Sequence, residues 1–131
     1  MKRAVIAALA SLAFSQAAVA SANLDCSAQD KLVAKLEIEA LTSRDGKHLA
    51  SFKGVLEIEP GKAIELSPAD VKSHHTEKNI SFVIAKRTAQ GPLEIRIFAK
   101  PVGDGDLDYE GNYVVTAGKL KKTGKIACQA G

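Results

Sequence analysis

Beyond Cys26 the chain alternates apolar and polar side chains with a period of two. Leu32, Ala34, Leu36, Ile38 and Ala40 stand against Lys35, Glu37 and Glu39, the pattern of a strand with one buried and one wet face. Ser43-Arg44-Asp45-Gly46-Lys47 then supplies a turn, with Gly46 able to take positive φ at no steric cost. Phe52, Gly54, Leu56 and Ile58 resume the inward phase against Lys53, Glu57 and Glu59. Glu59-Pro60-Gly61-Lys62 turns the chain again, into a short strand holding Ile64 and Leu66. Local rules alone make these segments an antiparallel meander.

Ser67-Pro68-Ala69-Asp70 breaks the alternation. An N-cap Ser, a Pro at the first helical position and an Asp in the first turn predict a helix start. Only Val71 follows as an apolar anchor, so the helical part is one short turn near residues 68–73, ahead of a polar stretch from Lys72 to Asn79. Alternation returns at Ile80, Phe82 and Ile84, again at Leu93, Ile95, Ile97 and Ala99, and again at Leu107, Tyr109, Tyr113 and Val115. The last candidate strand runs from Lys119 to Cys128 and is rich in lysine, which suits an edge protected against further pairing. Seven strand candidates separated by turn signals, with no βαβ spacing, predict an all-β fold. The expected architecture is a seven-stranded antiparallel β-sandwich of immunoglobulin-like type, or a small barrel.

The N-terminal segment has a different pattern. Lys2 and Arg3 precede an apolar run from Ala4 to Phe14, and small residues follow at Ala18-Val19-Ala20 and Ala20-Ser21-Ala22. These are the three parts of a secretory signal, with cleavage expected after Ala22 or, alternatively, after Ala20. The run is too short to span a bilayer, which needs about 20 apolar residues. The expected organisation is a signal peptide over residues 1–22 and one all-β domain over 23–131, periplasmic or secreted, without stable membrane insertion. Removing Lys2 and Arg3 leaves 16 basic against 15 acidic residues, a net charge of +1 instead of the whole chain's +3. The basicity therefore belongs largely to the leader and gives no reason to expect a nucleic-acid partner.

In an oxidising compartment the only two cysteines, Cys26 and Cys128, read as a disulfide that brings the two ends of the domain together. With no C-x-x-C motif present, it is a structural staple.

Chemistry-bearing motifs are few. His74-His75 with Glu77 is the nearest approach to a metal cluster, but adjacent residues of a strand point to opposite faces. Asp104-Gly105-Asp106-Leu107-Asp108 alternates carboxylates, yet the sixth and twelfth positions counted from Asp104 are Tyr109 and Val115, not the Gly and Glu of a calcium loop. No cofactor and no metal are expected. There is no nucleophile elbow, phosphate loop or zinc-protease motif, and Glu37, Glu39, Glu57 and Glu59 repeat at the strand period like a solvated sheet face. The chain is expected to be no enzyme.

Val33, Leu41, Val55, Val83, Phe98 and Val114 fall on the outward phase. Scattered exposed apolar residues are ordinary, but several on one sheet face form a binding patch. Phe98 and Val83, bordered by Lys86, Arg96 and Lys100, give an apolar centre with a charged rim; Phe98, Val83, Arg96 and Lys100 are the candidate binding residues. The alternative for Phe98 is packing under the loop from Pro101 to Asp106.

An exported, all-β chain of this size is similar in outline to the periplasmic lysozyme inhibitors and to the small curli-assembly inhibitors. The Ser-Gly-x-x-Tyr-type loop of the inhibitors is absent, so no functional residue carries over. The expected function is a non-catalytic accessory protein of the cell envelope that binds another protein through a sheet face or edge. An inhibitor of an extracellular hydrolase, or a chaperone-like guard against β-aggregation, is the alternative.

Overall fold

The computed structural model describes residues 21–103 and 107–131. Residues 1–20, most of the expected signal peptide over 1–22, and residues 104–106 of the acidic loop lie outside the described residues. Nine strands follow one another among the described residues: β1 (Ser21–Ala28), β2 (Lys35–Ser43), β3 (Leu49–Glu57), β4 (Ala63–Leu66), β5 (Val71–His75), β6 (Ile80–Thr88), β7 (Gly91–Pro101), β8 (Asp108–Ala117) and β9 (Leu120–Ala130). They form one antiparallel sheet in the order β4-β3-β2-β1-β9-β8-β7-β6-β5. Two meanders, β1 to β4 and β5 to β9, are thus joined by the pairing of the first strand with the last. The sheet is curled into a half-barrel, which corrects the expected seven-stranded sandwich.

The two additional strands carry weak apolar signals. Among the described side chains of β1, from Asn23 onward, only Leu24 and Cys26 are deeply buried, and in β5 only Val71 and His74 turn away from solvent. The first meander also starts later than its alternation suggests: residues 29–34 are a loop, and β2 begins at Lys35.

The curl is visible in contacts between strands distant in the sheet order. Phe52 on β3 and Phe82 on β6 have ring centroids 5.8 Å apart, although five strands separate them in the sheet. Around this pair the inward side chains fill the core, with Leu36, Ile38, Leu56, Ile80, Ile84, Ile95, Ile97, Tyr113, Val115 and Ile126 at most 2% exposed and Val71 of β5 packed against it from the margin. Close packing of side chains, rather than a lumen, is what a small curled sheet builds inside.

The predicted helical turn closes the curl. It is a 3₁₀ turn over Pro68–Asp70, shorter than the 68–73 expected, because Val71 already begins β5. The Asp70 carboxylate accepts from the Ser67 backbone N–H (2.9 Å) and hydroxyl (3.2 Å), a cap that satisfies donors left free at a helix start. From β6, Lys86 donates to the Glu65 carbonyl of β4 at 2.6 Å and lies 3.6 Å from Asp70. One ammonium therefore bridges both margins of the sheet.

Cys26 and Cys128 face each other directly across β1 and β9 and are joined as a disulfide. The bond lies on the buried face at mid-sheet, where it staples the two meanders together. The lysine-rich β9 is accordingly not an edge but the fifth strand of nine. The true edges, β4 and β5, are four and five residues long, and short edge strands themselves limit unwanted pairing.

The loop between β1 and β2 packs down against the sheet. Tyr113, with no exposed surface, donates its hydroxyl to the Asp30 carboxylate at 2.7 Å, and the backbone N–H groups of Lys125 and Leu32 donate to the same carboxylate. A Cβ at Gly124 would collide with the Asp30 carboxylate and the Tyr113 ring, so glycine is required there for the latch to form. Val33, three residues on from Asp30, is 2% exposed. Its expected outward position is therefore corrected: it lies in a loop, where strand phase no longer governs direction, and plugs the core.

Candidate outer sheet face

Because side chains alternate, each cross-strand register sets out rows of outward residues. On the β5 to β9 side, one row reads Lys125, Asn112, Phe98, Ser81 and His75, and the next reads Thr123, Val114, Arg96, Val83 and Ser73. The structure thereby brings together the four candidate binding residues. Arg96 is directly opposite Val83, Phe98 is one row away, and the Lys100 ammonium stands 5.9 Å from the Phe98 ring centroid. Phe98 is 45% exposed, and its strand neighbours Ile97 and Ala99 are buried on the other side. Val83 and Val114 are half-buried beside it. Arg96 is held by Glu94, whose carboxylate it meets at 2.9 Å; this hydrogen bond, with the charge of Glu94, raises the affinity of the guanidinium for its proton. Lys86, expected on the border of the patch, instead belongs to the closure between β4 and the 3₁₀ turn.

The other half of the outer face is acidic. One row reads Lys53, Glu39, Asp25, Gln129 and Asp108, and the adjacent row reads Val55, Glu37, Ser27, Ala127, Glu110 and Lys100. Small residues at Ser27 and Ala127 leave a groove of about 700 Å³ bordered by Asp25, Glu37, Glu39, Asp108 and Glu110. All five carboxylates are exposed. Glu39 has Lys53 at 3.8 Å, and Asp108 accepts from the Gln129 amide at 3.3 Å. The row of Glu110 and Lys100 is where acidic groove and basic-aromatic patch meet. Period-two alternation exposes Glu37 and Glu39 in the sequence, but only the strand order reveals that β1 and β8 add three more acids beside them, across the uncharged β9 positions Ala127 and Gln129.

Of the remaining candidates, His75 ends the Phe98 row and Asp108 borders the groove, whereas His74 lies on the opposite side of its strand. His74 turns inward, with its ring 6.4 Å from that of Phe82, whereas His75 is exposed. His74 Nδ1 and the Thr76 hydroxyl are buried without a hydrogen-bond partner. Of the acidic loop, Leu107 and Asp108 are described and are both exposed; Asp104, Gly105 and Asp106 lie outside the described residues. Among the described residues no group of three or more His, Cys, Asp or Glu is placed to hold a metal ion, and no helix is long and apolar enough to cross a membrane. Comparison with protein-family models, with curated proteins and with solved structures finds no match for the chain.

Proposed function

We propose that the chain is an exported, non-catalytic accessory protein of the cell envelope that binds another protein through the outer sheet face around Phe98. The observation that carries this reading is Phe98 itself, 45% exposed on a strand paired on both sides. A phenyl ring so placed adds nothing to the core. With Val83 and Val114 beside it and Arg96 and Lys100 around it, it has the apolar centre and charged rim of a protein contact. The Cys26–Cys128 disulfide suits a non-reducing compartment such as the periplasm or the extracellular space. The groove carboxylates are all open to solvent in like surroundings, whereas acid–base catalysis depends on environments that drive two carboxyl groups apart.

The test is Phe98→Ser. On this reading its unfolding free energy stays within about 0.5 kcal/mol of the parent, as for surface changes in general, while capture of the partner from envelope extract is lost. A loss of several kcal/mol, the signature of a core truncation, or undiminished capture would overturn it. The captured protein also separates the narrower roles: a stoichiometric hydrolase points to an inhibitor, and delayed fibril formation at low molar ratio points to a guard against aggregation.

A further inference from the structure

We propose that this face is occupied by a second copy of the chain, the Phe98 patch of each copy seated in the acidic groove of the other. This rests on the reading of Phe98 as a contact residue, and the occupant follows from the complementary charges of the two regions. Lys100, Arg96 and Lys125 surround Phe98, while five carboxylates border the groove beside it. Both features lie on one continuous outer surface, so they can pair reciprocally, as an isologous two-fold interface demands.

The spacing allows it. β7, which carries Phe98, is separated from the β9–β1 floor of the groove by β8 alone. At ~4.8 Å per strand the two centres are roughly 12 Å apart. A two-fold axis near Glu110 and Asn112 on β8 places each patch over the opposite groove. Ser27 and Ala127 at mid-groove leave space where a ring can lie without displacing a charged side chain. The quadrupole of the ring agrees as well: its negative face is engaged by Lys100, and its positive edge is left to meet carboxylates. The rim charges remain near solvent, so salt weakens the contact.

Sedimentation velocity on the oxidised chain lacking the leader tests this with two multiple variants. Arg96→Glu with Lys100→Glu makes both regions acidic; Asp25→Lys with Glu37→Lys and Glu39→Lys leaves only Asp108 and Glu110 of the groove carboxylates against three lysines and makes both basic. The parent is expected to dimerise at low salt, and each variant alone to associate roughly tenfold more weakly or not at all. Mixed one to one, the variants are expected to form a heterodimer, because each acidic region then meets a basic one. Circular dichroism and melting confirm that the variants fold; should one not, Phe98→Ser, which removes the knob and no charge, is expected to be monomeric in its place. A parent that stays monomeric to roughly 1 mM, weaker than any useful self-association, overturns the proposal, as does a mixture that associates no better than its components. Either result leaves the loss of envelope-partner capture by Phe98→Ser as a separate question, so the two readings fail independently.

Discussion

Asp30 is the side chain on which the β1–β2 loop depends. Its carboxylate collects the Tyr113 hydroxyl and two backbone N–H groups, and the Tyr113 hydrogen bond, ahead of the backbone donors, holds its pKa below the ordinary 3.8. Burial, followed by the same carboxylate, drives the Tyr113 phenol well above its ordinary 10. The signs are opposite. A depressed carboxyl pKa gives stability that is present above the unfolded value near 3.9 and is lost as pH falls through the folded value. A raised phenol pKa gives stability that is present below about pH 10 and is lost as pH climbs toward the folded value. Urea unfolding of the parent should therefore show an acid loss below about pH 4, and Asp30→Asn should flatten that limb while lowering stability at neutral pH. Tyr113→Phe should cost about 1–3 kcal/mol, the penalty for leaving a partly buried acceptor short of its donor. If Asp30→Asn kept the parent's acid limb unchanged, the latch would not be its source.

Among the strands, the margins are the soft part of the fold. β4 and β5 are short, each pairs on one side only, and they are tied by the 3₁₀ turn and by Lys86. Hydrogen exchange should open β4 and β5 first and β1 and β9 last, following the uneven local stability of packed sheets. Asp70→Ala removes both the cap and the ion pair; it should cost about 1 kcal/mol and speed exchange in β4 and β5 while leaving β9 protected. Uniformly faster exchange would show that the turn supports the whole sheet and not its margins alone. The strands built on strong alternation, such as Leu93 to Ala99, were legible in the sequence because each inward position there is apolar. β5 was not, since its inward residue between Val71 and the next turn is a histidine. Nor was the place of β9: lysine on an outer face and lysine on an edge give the same letters, and only long-range pairing with β1 distinguishes them. For the same reason Phe98, Val83, Arg96 and Lys100 could be grouped from phase on two neighbouring strands, whereas the acidic groove, spread over four strands from both meanders, could not.

The whole molecule is two meanders closed on one another, and its centre is the β1–β9 seam with the Cys26–Cys128 bond. Since the crosslink spans 102 residues, chain entropy puts an upper guide of ~4.7 kcal/mol on its contribution, with ~2–4 typical of measured bridges. Cys26→Ser combined with Cys128→Ser should lower unfolding free energy by that order, and the native oxidised protein should resist alkylation until reduced. Free thiols in the unreduced protein would remove the staple from the account.

At the same scale, the outer surface divides into an acidic groove and a basic, aromatic patch, the surface proposed above to meet the partner. The most direct measurement places a photoreactive phenylalanine analogue at position 98 of the chain, expressed with its N-terminal segment, and, as a control, at Leu32. The two sites are 45% and 48% exposed, so exposure alone cannot separate them; they differ in whether they lie on the proposed face. A discrete cross-linked adduct is expected from position 98, abolished by competing unlabelled parent protein, and none from position 32. Adducts of equal yield from both positions, or an adduct from Leu32 alone, would contradict it.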